Sequence, residues 1–165
     1  MRIDFFSPAP RPVQESLRQD AVVRSGLLQR GGDADLQRIV QNASARFHTP
    51  IAAISVIDRD RQWFVARTGL LVEETPRAMS FCAHAVHRPG EPLVVPDATA
   101  DWRFQGNPLV TSSPHIRFYA GVPLVDRTGY ALGALCIIDA EPRDEDVDLF
   151  ELSLLAREAE AVINR

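Results

Sequence analysis

Apolar positions along the chain change period at a few places, and those changes divide it into elements. The first twelve residues hold Pro8, Pro10 and Pro12 with no sustained period, so a loose lead-in over 1–12 is expected. Val13, Leu17, Ala21 and Leu28 recur at steps of four and seven, which predicts a helix over 13–32 that stops at Gly31 and Gly32, where positive φ costs little. A second helical face follows in Leu36, Ile39, Val40, Ala43 and Phe47, with Asp33 placed to cap it and Pro50 forcing the chain extended.

Residues 51–57 are apolar and β-branched on both faces, as in a central strand, and 58–60 turn the chain into a partner strand over 62–67. A second hairpin pairs 116–125 with 131–138 around Asp126-Arg127-Thr128-Gly129. Between the hairpins lie a predicted helix over 80–87, a short strand over 93–95 and an irregular stretch over 97–115. A last helix is expected after Pro142, with Asp144, Glu145 and Asp146 in its first turn, where the helix dipole favours anions. It carries two stripes: Leu149, Leu152, Ala156, Ala159 and Ile163, and Val147, Phe150, Leu154 and Ala161. Either one stripe covers the sheet while the other meets a partner helix, or the two form one wide core face. No strand is followed by a regular crossover helix, so the fold class is α+β with an antiparallel sheet.

At 165 residues and 45% apolar content the chain supports a single core. Its apolar runs fall far short of the roughly 18 to 20 residues a membrane span needs. Met1 is followed by Arg2, Asp4 and prolines instead of an apolar leader, which places the protein in the cytosol. Cys82 and Cys136 sit far apart among apolar neighbours, and two reduced thiols are expected. The net charge is −4 and the cations are scattered, so nucleic acid is not an expected partner. All 18 cations are arginine, which removes any lysine Schiff base or phosphate-loop lysine.

Two stretches hold candidate chemistry. In "SFCAHAVHRPGEPLVVPDA", residues 80–98, a helix at about 100° per residue gathers Phe81, Cys82, Ala85 and Val86 on one arc and turns His84 and His87 away. Cys82 and His84 then diverge, too far apart for a nucleophile and its base. The zinc-deaminase patterns H-x-E and P-C-x-x-C are missing, and Cys82, His84, His87 and His115 match no structural zinc spacing. No metal or other cofactor is expected, and no phosphate-loop, dinucleotide or serine-hydrolase motif occurs. The stretch 97–124 instead sets Trp102, Phe104 and Tyr119 among Asp97, Asn107, His115 and Arg117, apolar walls with a few polar groups as a small-molecule pocket requires. Arg117, Tyr119 and Gly121 share one side of their strand, and the missing side chain of Gly121 would leave room for a ligand. The alternative is a network that only ties a long loop to the sheet.

The blocks "PIAAISVIDRDRQWFVARTGL" at 50–70, "ETPRAMSFCAHAV" at 74–86, "PLVVPDATADWRFQGNPLV" at 92–110, "IRFYAGVPL" and "ALGALCIID" resemble the GAF domain family, in the sub-type found at the front of bacterial sensor kinases and diguanylate cyclases. The likeness spans roughly residues 33–163. It implies a twisted antiparallel sheet of about six strands, terminal helices on one face and an irregular cover on the other. It also implies a sensory module that binds a small molecule between sheet and cover. The module would dimerise through its terminal helices and pass its signal to an effector domain, kinase or cyclase. Phe81, Cys82, His84, Asp97, Trp102 and Phe104 are then wall candidates, together with Asn107, His115, Arg117, Tyr119 and Gly121. Bilin-binding members attach their chromophore at an adjacent Cys-His pair, which is Cys-Ala-His here. Members that reduce free methionine sulfoxide carry several pocket cysteines, against two in this chain. A non-catalytic sensor is therefore the expected function, with a ligand-free interaction module and a methionine sulfoxide reductase as alternatives.

Overall fold

The computed structural model describes residues 5–165. Helices α1 (Glu15–Ser25), α2 (Ala34–Phe47) and α5 (Leu149–Ile163) flank six strands: β1 (Ile51–Asp58), β2 (Arg61–Thr68), β3 (Glu74–Pro76), β4 (Leu93–Val95), β5 (Phe118–Val125) and β6 (Ala131–Asp139). The strands form one antiparallel sheet in the order β3-β2-β1-β6-β5-β4. The expected α+β class and both hairpins are present. The edge strand β3, three residues long, has no counterpart in the periodic reading of the sequence.

The two central strands, β1 and β6, bury both faces, and side-chain alternation sends neighbours to opposite cores. Ile54, Val56, Leu135, Ile137, Phe118 and Ala120 pack under the terminal helices. Ala53, Ile57, Cys136, Ile138 and Tyr119 pack under the cover formed by α3 (Phe81–Val86), α4 (Pro108–Thr111) and the loops around them. Gly133 makes the closest strand approach, since a Cβ there would meet the Ser55 carbonyl oxygen at 1.7 Å.

Asp33 caps α2 as expected, accepting from the amides of Asp35 and Leu36 at 3.0 Å each. Helix α1 corrects its sequence reading. Gly26, with φ of 72°, ends it five residues before Gly31. Val13 and Leu17 are exposed, and the buried face is Arg18, Ala21 and Val22. An arginine on the core face inverts the apolar pattern, and its partners explain why it is tolerated. Arg18 donates to the Ile57 carbonyl at 2.7 Å and the Ala131 carbonyl at 3.2 Å, and it pairs with Glu15 at 2.9 Å. Arg77 reaches Glu15 from the cover side at 2.5 Å.

Helix α5 begins at Leu149, capped by Asp148, which accepts from the Glu151 amide at 3.0 Å; Asp144, Glu145 and Asp146 lie before it. One of its predicted stripes, from Leu152 to Ile163, is buried, while Phe150 and Leu154 stay 75% and 51% exposed. The lead-in also differs from expectation. Residues 5–12 lie along the cover, with Ser7 donating to the Arg103 carbonyl at 3.0 Å and Gly106 donating to the Phe5 carbonyl at 3.1 Å. Residues 1–4 of that expected lead-in fall outside the described residues.

Candidate functional site

The sheet and its cover enclose a cavity of about 350 Å³. Its sheet side is built from Gln62 and Phe64 of β2, Tyr119 of β5, and Cys136 and Ile138 of β6. Phe81 and Cys82 project from α3, whose start is fixed by Ser80 accepting from the Ala83 amide at 3.0 Å. Leu109 and Ile116 close the far wall, and the β2–β3 loop contributes Leu70, Leu71 and Val72 at the rim.

The register of the second hairpin decides which residues meet here. Tyr119 pairs with Ile138 and Gly121 with Cys136, so all four belong to the cover face. The Tyr119 ring folds back over Gly121, where a Cβ would lie 2.2 Å from the phenolic oxygen. The space that Gly121 leaves is therefore filled by Tyr119, a correction to its expected role in admitting a ligand. The phenol donates to Cys82 Sγ at 3.1 Å.

Burial raises the Tyr119 pKa well above its usual value, and the nearby thiols add to this, so the phenol keeps its proton. Cys136 is also raised, first by its hydrogen bond to Cys82 and then by burial. Burial acts against ionisation of Cys82 as well, but hydrogen bonds from Cys136, Ser55 and Tyr119 outweigh it and leave Cys82 the more acidic thiol. Both cysteines are free.

Of the eleven residues singled out from the sequence, Phe81, Cys82 and Tyr119 reach the cavity. Phe104 stands behind Phe81, stacked at 4.0 Å between centroids. His84 points the other way from Cys82, its Nε2 2.9 Å from the Ser7 carbonyl oxygen and its ring edge-on to Phe104. Trp102, 71% exposed, borders with His84 and Arg103 a separate polar groove.

Three of the others hold the cover together. Asp97 accepts from the Thr99 amide at 3.0 Å, and Asn107 caps α4 through the Leu109 amide at 2.9 Å while donating to the Met79 carbonyl at 3.0 Å. Arg117 donates to the Val110 carbonyl at 2.9 Å. His115 is exposed, with φ of 59° at the turn before β5. The network reading of 97–117 therefore describes these residues better than the pocket reading. Gln62, Thr75, Leu109, Cys136 and Ile138 were not anticipated; the last two follow from the hairpin register once Tyr119 is placed on the cover face. Among the described residues no three His, Cys, Asp or Glu side chains gather as a metal-ligand set, and no helix is long and apolar enough to cross a membrane.

Comparison with known proteins agrees with this architecture. The chain is 47% identical over 146 residues to the cyclic di-GMP phosphodiesterase PA2567 of Pseudomonas aeruginosa; the match covers 86% of the chain but only 25% of that relative. The GAF domain from the Acinetobacter phosphoenolpyruvate-protein phosphotransferase superposes with a TM-score of 0.60 at 19% identity, over 89% of this chain and 92% of the other. The free methionine-R-sulfoxide reductase of Neisseria meningitidis gives 0.64 at 20% identity, over 99% and 96%, a likeness of fold. The GAF domain model matches residues 33–163, and the chain belongs to the GAF domain family.

Proposed function

We propose that this chain is the sensory module of a bacterial signalling protein, binding a small molecule between sheet and cover and signalling through its terminal helices. The observation that carries this is the alternation along β5 and β6. Tyr119, Cys136 and Ile138 face the cavity, while their chain neighbours Phe118, Ala120, Leu135 and Ile137 pack against the helices on the reverse face. A guest that shifts either strand changes the surface on which α5 rests. Differential affinity for two helix arrangements is all that such coupling requires.

The effector is a cyclic di-GMP-hydrolysing unit of the kind named in the Pseudomonas relative, of which this chain spans about a quarter. The chain itself is regulatory in this reading. Among the described residues no charged side chain lines the cavity, and a zwitterionic substrate such as methionine sulfoxide would leave both its charges unpaired there. The module works as a dimer, and the exposed Phe150 and Leu154 on α5 are its contact with a second copy.

A thermal-shift screen with nucleotides, amino acids and uncharged metabolites tests the reading, since a ligand selective for the folded state raises the midpoint. A hit should also change the phosphodiesterase activity of the full-length protein. A flat screen would favour the ligand-free interaction module.

A further inference from the structure

From its lining we infer that the cavity takes an uncharged, predominantly apolar molecule of about a dozen non-hydrogen atoms. The inference rests on the sensory reading above and specifies the ligand chemistry of the same site. Among the described residues no Asp, Glu, Arg or His contributes to the lining. The polar groups present are largely committed to one another. Gln62 Oε1 accepts from Ser80 at 2.7 Å, Gln62 Nε2 donates to Thr75 Oγ1 at 3.0 Å, and the Tyr119 hydroxyl is spent on Cys82. What is left for a guest is the hydroxyl protons of Thr75 and Ser113 and one amide hydrogen of Gln62, since the Cys136 thiol donates to Cys82. That set can orient one hydroxyl or carbonyl, and it has nothing to neutralise a carboxylate or phosphate.

Size narrows the class further. At roughly 30 Å³ for each water-sized unit, the volume of about 350 Å³ holds a molecule of one or two rings. Cyclic di-GMP, with two purines and two phosphodiesters, exceeds it in both bulk and charge. The sensed molecule and the effector's substrate are then different compounds. Leu71, 98% exposed, and Val72 stand at the rim, where a guest in the cavity would bring apolar surface against them.

Matched probes test the inference: 1-naphthol, indole and coumarin against 1-naphthoate, indole-3-carboxylate and cyclic di-GMP. Binding would be followed by calorimetry and by methyl NMR shifts at Leu109 and Ile138. The expected result is binding of at least one neutral probe about a hundredfold tighter than its anion. It should be lost in Leu109→Trp and weakened severalfold in Leu71→Ser, an exposed change that spares the fold. Equal or tighter binding of an anion in the cavity would overturn the assignment of ligand class and leave the sensory reading standing. Failure of all three neutral probes and all three anions to shift the cavity methyls would overturn both.

Discussion

Tyr119 lies over Gly121, two residues ahead on its own strand, so closely that a Cβ at Gly121 would fall 2.2 Å from the phenolic oxygen and 2.6 Å from Cζ. Gly121 has ordinary strand φ, so alanine brings no backbone penalty and the effect of Gly121→Ala is steric. The expected loss is about 1–3 kcal/mol, typical of overpacking a dense core. Tyr119→Leu removes the obstructing ring, so the double variant should be more stable than the two single losses summed. Urea denaturation of the four proteins in the cycle checks it; strict additivity would mean that the ring does not occupy the glycine's space.

The same pair shows where the sequence is and is not legible. Asp33 as a cap, Pro50 as a stop and the Gly129 turn act within a few residues, so local reading finds α2, β1 and the second hairpin. The cavity is different in kind. Most of its sheet side comes from β5 and β6, strands buried on both faces, where an unbroken apolar run carries no period to say which side chain faces the cover. Polar groups in 97–117 looked like pocket chemistry because Asp, Asn and Arg serve equally well to tie a loop down. Arg18 is the reverse case: a charge on a helix reads as its wet face, and only the Ile57 and Ala131 carbonyls at the sheet's end, far off in sequence, make it a core residue.

Stability should depend on pH through Glu15. Burial alone would raise its pKa, but hydrogen bonds from Arg18 and Arg77 overcome this and lower it from 4.5 to about 2. A depressed folded-state pKa means that its contribution is complete above about 4.5 and lost as pH falls toward 2. Glu15→Gln should therefore be less stable than the parent at pH 7, and the gap should shrink steadily between pH 5 and pH 2.5. A gap independent of pH in urea titrations would show that the carboxylate is not held by the two arginines.

Of the two thiols, Cys82 should react first. Its hydrogen bonds from Cys136, Ser55 and Tyr119 favour the thiolate, whereas Cys136 is raised by donating to Cys82 and by burial. With iodoacetamide at pH 8, peptide mapping should find Cys82 carboxamidomethylated several times faster than Cys136. Tyr119→Phe removes one donor and should slow Cys82 specifically. Equal rates in the parent would contradict the assignment of donors around the pair.

Helix α5 carries the last expectation. Its inner stripe of Leu152, Leu155, Ala156 and Ala159 is fully used against α2 and the sheet, which leaves Phe150 and Leu154, one turn apart, facing outward. The Arg46–Glu151 and Arg165–Asp35 pairs tie α5 to α2, so charge introduced on the outer face does not disturb the inner one. Phe150→Glu with Leu154→Glu should leave the thermal midpoint within a few degrees of the parent at low concentration, because exposed positions cost little. The same change should convert a dimer at micromolar concentration into a monomer in sedimentation equilibrium, since two carboxylates on each copy would oppose one another across a two-fold contact. A parent protein that sediments as a monomer at high micromolar concentration, or a variant that still dimerises, would remove α5 as the route by which the sheet addresses a partner.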